Sequence, residues 1–283
     1  METGNPEELV KVETIERVRL IGLNRPAKRN AVNNALANRL LRAFQDFDAD
    51  DSVDSAIVYG EGGSFCAGYD LSELAGLEGD SELMRRFKED SDFFRLIGPT
   101  KMQPRKPTIA AVSGHAVAGG MELALMCDLR VVEETAVFGV FCRRVGVPTF
   151  NGGTVRLPAL IGLSRAMDML LTGREISAKL AFDWGLANRL VPTGTSLGAA
   201  LQLATSLNRF PQACLRADRR SAYYAAYSAK DYEDAFDFEY QGGLPILLQE
   251  SVHGAKRFLD GIGKHGSFNM SRPPGPKPNR QPE

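Results

Sequence analysis

The sequence predicts an α/β fold followed by a helical C-terminal region. Short apolar runs that are typical of buried strands occur at residues 55–59, 107–112 and 127–132. Helical patterns lie between these runs, so strand and helix alternate along the first part of the chain, as they do in α/β proteins. From residue 154 onward the patterns are mainly helical. The first region is therefore predicted to be α/β, and the second is predicted to be mainly helical.

The composition is that of an ordinary globular protein. The chain has 283 residues, 43% of them apolar, and its 34 basic and 35 acidic side chains give a formal charge of −1. A total so close to zero indicates no attraction to nucleic acid or to a membrane surface. A chain of this length can bury roughly three quarters of the surface that its unfolded form exposes. We therefore expect one large domain or two smaller ones.

The cysteines and the N-terminal segment bear on location. The four cysteines show no C-x-x-C spacing and are too few to staple a secreted scaffold, which favours reduced thiols. The first residues carry acids and no apolar core, unlike a secretory signal or an Arg-rich transit peptide. The longest apolar stretch, residues 109–129, is interrupted by charged side chains and is a poor membrane span. We predict a cytoplasmic protein, with the mitochondrial matrix as the alternative if a transit peptide has been removed.

The first elements can be placed from local patterns. Residues 10–23 alternate like two short strands of a hairpin, and Pro26 follows the end of the second strand. From residue 33 to residue 47 apolar side chains recur at helical spacing, and Asn33 can cap the first turn. This segment is predicted to be a helix.

The remaining elements follow in the same way. A charged helix is predicted at residues 81–97, and residues 115–120 are predicted to form a turn into a helix at 121–126. Beyond residue 261 the chain is polar and rich in proline, which predicts disorder. The predicted C-terminal helices are 167–171, 178–184, 196–208, Gln212–Tyr227, 232–249 and Val252–Leu259.

Two glycine-containing turns follow predicted strands, at residues 64–71 and 114–120. In the second turn, Gly119 and Gly120 come at the start of a helix, where the first backbone amides lack internal partners and carry positive partial charge. One amide from each turn could converge on a single oxygen and form an oxyanion hole, in which one donor is worth on the order of 3 kcal/mol of transition-state stabilisation. The alternative is that the glycines only shape two tight turns.

Four segments together resemble the crotonase (enoyl-CoA hydratase/isomerase) superfamily. They are LNRPAKRNAVN, FCAGYDL, GHAVAGGMELALMCD and FGVFCRRVGVPTFNGGTVRL, in that order, and the resemblance extends over residues 10–265. It implies a spiral core of β-β-α units over residues 1–195 that carries the acyl-CoA site. It further implies a helical region at 196–265 that assembles subunits into a homotrimer or a dimer of trimers. A Pro-rich tail at 266–283 completes the predicted organisation.

The resemblance assigns the reacting groups. It places the two amides of an oxyanion hole on Tyr69 and Gly119, where they would stabilise the enolate-like oxygen of a CoA thioester. The first of the two glutamates that hydratases of the family use falls on Glu122. Without the resemblance, Glu122 would be read as a glutamate that interacts only with the helix dipole.

The resemblance also implies contacts to the CoA moiety. Arg25, Lys28 and Arg29 form a basic cluster that suits phosphate groups, although a solvated charged loop is the alternative. The implied contacts are Lys28, Arg29, Ala31 and the backbone of Ala67 and Leu71.

One position departs from the family pattern. Ungapped alignment of the third segment places Cys142 where hydratases have their second glutamate, and no Asp or Glu occurs from residue 136 to residue 167. A nearby Glu122 would oppose ionisation of this thiol, whereas Arg143 and Arg144 would favour it. Cys142 is thus either a replaced catalytic position or a small core residue.

The predicted function is that of an enoyl-CoA hydratase-like lyase of fatty acid metabolism, which adds water to a 2-enoyl-CoA with Glu122 as acid and base. Two alternatives stay open: a one-base crotonase that acts as isomerase, decarboxylase or thioesterase, and a CoA-binding paralogue without activity. The sequence has no serine-hydrolase elbow, zinc motif or dinucleotide fingerprint. We expect no metal and no cofactor other than the CoA of the substrate.

Overall fold

The computed structural model describes residues 9–76 and 97–266, and all structural statements concern these ranges. The helix expected at 81–97 and the Pro-rich tail lie outside the described residues, apart from residues 97 and 266. The chain divides into two compact units, Met1–Ala204 and Thr205–Glu283.

The first unit contains two sheets. Its strands are β1 (Val10–Ile15), β2 (Val18–Leu23), β3 (Ser55–Gly60), β4 (Thr108–Val112), β5 (His115–Val117), β6 (Leu129–Glu133), β7 (Val137–Gly139), β8 (Glu175–Ser177) and β9 (Arg189–Val191). The larger sheet has the order β1-β2-β3-β4-β6-β9, and the smaller one has the order β5-β7-β8. In the larger sheet only β1 and β2 pair antiparallel. The central parallel strands β3, β4 and β6 are mostly buried, as expected for strands covered on both faces, whereas the edge strand β9 is partly exposed.

The smaller sheet was only partly foreseen. Residues 115–117 were expected to belong to a turn, and that expectation is wrong because they form strand β5, which pairs in parallel with β7. Strand β8 then pairs antiparallel with β7. Strands of three residues are too short to show the alternation that identifies a strand in sequence.

Several described helices begin in the first unit, and the last of them continues past Ala204. They are α1 (Asn34–Ala49), α2 (Leu71–Ala75), α3 (Gly119–Met126), α4 (Gly153–Ile161), α5 (Leu163–Thr172), α6 (Ala178–Asp183) and α7 (Ser196–Leu207). The predicted cap of α1 is confirmed, since Oδ1 of Asn33 accepts a hydrogen bond from the Leu36 amide at 2.9 Å. The predicted inner face is also buried, with Leu40, Phe44 and Phe47 in the core.

The second unit is helical. It contains α8 (Gln212–Tyr227), α9 (Tyr232–Ile246) and α10 (Val252–Leu259), and a π-helical turn, Leu247–Ser251, joins the last two. Helices α8 and α9 pack against each other, and the rings of Tyr224 and Phe238 stack with centroids 3.9 Å apart. Across the described ranges, no helix is both long and apolar enough to cross a membrane.

Candidate active site

Two turns meet beside the smaller sheet. Cys66, in the segment that follows β3, forms an isolated parallel bridge with Ala116 of β5, so the two segments run side by side. A Cβ atom added to Gly68 would lie 2.9 Å from the Cβ atom of Ala118 and 3.0 Å from the amide nitrogen of Gly119. Because the turns approach this closely, only glycine at position 68 leaves the space in front of that amide open.

Backbone amides from both turns are available to a ligand. Tyr69 and Gly119 line one cavity, and within residues 9–76 and 97–266 no hydrogen-bond acceptor is found for either of their N–H groups. Gly119 is the first residue of α3, whose leading amides have no intrahelical partner. The Tyr69 peptide is held on both sides, because Val32 bonds to the Gly68 carbonyl and to the Asp70 amide. Two such amides favour an oxygen that carries negative charge.

The start of α3 depends on an unusual backbone conformation. Ala118, which precedes the helix, has φ 50° and ψ −127°, a region that residues with a side chain rarely adopt. Gly120 is required for close packing, since a Cβ atom there would lie 2.1 Å from the carbonyl oxygen of Cys66. The helix therefore begins at a point where two backbone segments are in direct contact.

Glu122 occupies the first turn of α3 and is 2% exposed. Its Oε1 accepts hydrogen bonds from the backbone N–H groups of Asn151 and Gly153, both at 2.8 Å. The side-chain amide of Asn151 lies 3.5 Å from Oε2. Burial raises the pKa of Glu122 above the ordinary glutamate value, and the hydrogen bonds from Gly153 and Asn151 offset part of that effect. A raised pKa suits a group that must both accept and release a proton.

Asn151 was not predicted as a site residue. Its side-chain oxygen accepts a hydrogen bond from the Thr100 hydroxyl at 2.9 Å, and its carbonyl accepts one from Arg156 at 3.0 Å. Arg156 also donates to the Thr100 carbonyl at 2.7 Å. These bonds fix Asn151, and Asn151 in turn fixes the carboxylate of Glu122. The available signal was its place directly before Gly152 and Gly153, in a segment already singled out by resemblance.

Cys142 lines the same cavity as Glu122. It lies in the 3-10 helix Phe141–Val145 and is 9% exposed. Burial raises the pKa of its thiol, the Glu122 carboxylate raises it further, and the opposing influence of Arg143 is smaller. The thiol therefore carries its proton at neutral pH.

The cavity itself is mostly apolar and has a volume of about 190 Å³. Its polar side chains include Glu122, Arg144 and Asn151. The lining residues are Ala67, Tyr69, Leu71, Ile97, Ala118, Gly119, Glu122, Phe141, Cys142, Arg144, Val145, Val147, Pro148, Phe150 and Asn151. Among the described residues, no group of His, Cys, Asp and Glu side chains is placed to hold a metal ion.

The residues expected to contact CoA fall into two groups. Ala67 and Leu71 line the cavity, whereas Lys28 and Arg29 are exposed outside it and Ala31 is half-buried. The two groups are neighbours, because the Ala67 amide donates to the Arg29 carbonyl at 3.0 Å.

Arg25 departs from the expected basic cluster. Its guanidinium forms an ion pair with Asp70 at 3.0 Å and donates to the Ala31 carbonyl at 2.5 Å. Its charge is therefore offset within the protein, which leaves Lys28 and Arg29 as the exposed cations of this loop.

Comparison with known proteins identifies similar chains. A family model described as "Enoyl-CoA hydratase/isomerase" matches residues 13–253. A "Probable enoyl-CoA hydratase" of Mycobacterium tuberculosis is 37% identical over 209 residues, which cover 74% of this chain and 79% of the relative. A "Probable enoyl-CoA hydratase" of Rhizobium meliloti is 39% identical over 203 residues, or 72% of this chain and 76% of the relative.

The fold is similar to solved structures as well. The crystal structure of enoyl-CoA hydratase EchA1 from Mycobacterium marinum superposes with a TM-score of 0.80 at 34% identity. The match covers 89% of this chain and 96% of that one.

Proposed function

This chain belongs to the enoyl-CoA hydratase/isomerase family, and on that basis we propose that it is an enoyl-CoA hydratase-like lyase that adds water to a 2-enoyl-CoA thioester. The observation that carries the proposal is the presence, in one cavity, of two backbone amides without an acceptor in the described chain and of a buried carboxylate. Hydration needs these groups together, because negative charge develops on the thioester oxygen while a proton leaves water.

The amides of Tyr69 and Gly119 would bind the thioester oxygen. Addition of water to the β-carbon pushes the double-bond electrons onto this oxygen as an enolate, and the amides stabilise the charge. The enolate then collapses and takes a proton at the α-carbon. The amides stay in place through both steps, so the site requires little reorganisation.

Glu122 would move the proton. Two backbone amides hold Oε1, so Oε2, whose partner is the Asn151 amide at 3.5 Å, is the oxygen that exchanges a proton. Oε2 takes a proton from water as the oxygen attacks the β-carbon, and the same proton passes to the α-carbon. With the protonated thiol of Cys142 in place of a second carboxylate, one glutamate serves as base and then as acid.

The CoA moiety would lie along the two neighbouring loops. Lys28 and Arg29 supply positive charge for the phosphates, and the backbone at Ala31, Ala67 and Leu71 contacts the rest. CoA enters as part of the substrate, and the proposed reaction uses no further cofactor.

The proposed assembly is a homotrimer or a dimer of trimers. Its support is the set of large apolar side chains that α9 and α10 leave exposed in the single chain, among them Tyr232, Phe236 and Phe258. Light scattering at micromolar concentration is expected to give a trimer or hexamer. A monomer alone would overturn the assembly.

The proposed reaction is tested by two measurements on the wild-type protein. Steady-state loss of the conjugated enoyl absorbance follows hydration of crotonyl-CoA and longer 2-enoyl-CoA substrates, and calorimetry follows CoA binding. Turnover to the 3-hydroxyacyl-CoA is expected. Binding of CoA without turnover of any 2-enoyl-CoA would identify a CoA-binding paralogue instead.

A further inference from the structure

Arg144 is a positively charged side chain on the wall of the cavity. It lines the cavity, it is exposed, and its guanidinium carbon lies 3.7 Å from the centroid of the Phe141 ring. Stacking on an aromatic face holds a guanidinium in one orientation and leaves its N–H groups at the edge free to bind. The charge is thus positioned in advance of any ligand.

This guanidinium has no acidic partner in the part of the chain that the structure describes. Its one hydrogen bond goes to the carbonyl of Gly173 at a long 3.3 Å, out of five N–H donors. Glu122, the acid that lines the same cavity, is already bound by the amides of Asn151 and Gly153. A cation that the described residues do not neutralise favours an anionic group on the ligand.

The position of Arg144 points to the acyl end of the substrate. Arg144 shares the 3-10 helix Phe141–Val145 with Cys142. The Cys142 thiol lies near Glu122, whose negative charge raises the pKa of the thiol. The proposed CoA contacts come instead from residues 28–31 and 67–71. Val145, Val147 and Phe150 lie close to Arg144 in sequence and also line the cavity. Their apolar side chains can contact the methylene groups of an acyl chain.

We propose that Arg144 binds a carboxylate at the far end of the acyl chain, so that the preferred substrates are ω-carboxylated acyl-CoA thioesters. Arginine matches a carboxylate with two parallel hydrogen bonds, and a stacked guanidinium loses little freedom on binding. This inference rests on the proposed function, because it takes the cavity to be an acyl-CoA site.

Binding of unreactive ligands tests the inference without relying on catalysis. Calorimetry compares adipoyl-CoA, which carries a terminal carboxylate, with hexanoyl-CoA and with free CoA. Wild type is expected to bind adipoyl-CoA roughly tenfold more tightly than hexanoyl-CoA, a typical value for a hydrogen bond to a charged group. Arg144→Gln is expected to remove this preference. Arg143→Gln is the matched control and keeps it, because Arg143 is exposed, does not line the cavity and donates to the Leu170 carbonyl.

Two results would overturn the inference. One is a wild-type protein that binds both acyl-CoA ligands equally. The other is an Arg144→Gln variant that loses affinity for adipoyl-CoA, hexanoyl-CoA and free CoA alike, which would make Arg144 a phosphate contact. Failure of the proposed function has a different signature: the preference for adipoyl-CoA persists, but neither 2-hexenoyl-CoA nor its ω-carboxylated counterpart is hydrated.

Discussion

The backbone N–H of Asn151 donates a hydrogen bond to Oε1 of Glu122 at 2.8 Å, across 29 residues of sequence. With the Gly153 amide it holds one carboxylate oxygen of a side chain that lines the cavity, and within the described residues no backbone amide donates to the second oxygen, Oε2. The side chain of Asn151 adds a weaker contact to that second oxygen. Burial thus raises the pKa of Glu122, and the hydrogen bonds from Asn151 and Gly153 lower it.

The first prediction concerns pH. Burial raises the pKa of Glu122. As the pH is lowered, Glu122 therefore becomes protonated at a higher pH than an ordinary glutamate does. Because the protonated form cannot act as the base, kcat/KM is expected to fall at that higher pH. Asn151→Ala removes a hydrogen bond that favours the ionised form, so it is expected to raise this pKa further and to move the acid limb of the profile upward.

Thr100→Val is the control for that experiment. It removes the hydroxyl that binds the Asn151 side chain but leaves the Asn151 amides beside Glu122, so a smaller shift is expected. An acid limb that stays unchanged in Asn151→Ala would show that the side chain does not influence the carboxylate.

The second prediction concerns the cysteine. Cys142→Glu puts a carboxyl group into the cavity that Glu122 lines, and crotonyl-CoA hydration should rise. General acid–base groups contribute about 10² to 10⁴ in rate, so even poor placement should be measurable. Cys142 is buried, and the larger side chain can overpack the site, so thermal stability is measured alongside the assay.

Cys142→Gln is the matched control, since it has the same shape as Cys142→Glu and cannot exchange a proton. Only the glutamate variant should be faster than wild type. A folded, CoA-binding Cys142→Glu protein with no gain in hydration would show that the cavity is not a hydratase site lacking one carboxylate.

Much of this architecture was readable from sequence. The family, the α/β fold and the hydratase-like function are confirmed by the family match and the structural neighbours. Helix α1 was predictable because its apolar period and the Asn33 cap are local signals. The roles of Tyr69, Gly119 and Glu122 came from resemblance and stay predictions, although the structure brings the three residues to one cavity.

Other features depend on tertiary contacts and left no local signal. Strands β5 and β7 have three residues each and are stabilised by pairing with each other. Asn151 reaches Glu122 only after the chain has folded. The sequence predicted Arg25 as part of a phosphate-binding cluster. In the structure it forms an ion pair with Asp70, which lies 45 residues later and could not be predicted as its partner from local sequence.

The third prediction concerns the backbone before α3. Ala118 adopts φ 50° and ψ −127°, a conformation that costs a residue with a side chain about 1–3 kcal/mol. Ala118→Gly relieves this strain and loses about 0.4–1 kcal/mol through greater freedom of the unfolded chain. The urea midpoint should therefore rise. Ala124→Gly, inside the same helix, should lower it, and a fall in both variants would contradict the assigned strain.

The fourth prediction concerns packing at Gly120. Gly120→Ala would place a Cβ atom 2.1 Å from the Cys66 carbonyl oxygen, and the backbone must move to relieve the clash. A loss of roughly 3 kcal/mol in the free energy of unfolding is expected. Gly198→Ala, in helix α7 with no atom near the added methyl, should instead be neutral or stabilising. Equal unfolding midpoints for the two variants would count against the close approach of the two turns.

The central claim is that Glu122 transfers the proton, and Glu122→Gln tests it most directly. The amide keeps the shape of the side chain but cannot take a proton at neutral pH. CoA affinity, measured by calorimetry, should stay near the wild-type value, while kcat on the preferred 2-enoyl-CoA falls by about 10² to 10⁴. Glu134→Gln, at an exposed position, serves as the matched control and should retain full activity. A folded Glu122→Gln protein with kcat within about tenfold of wild type would contradict the account, because Glu122 would then be structural.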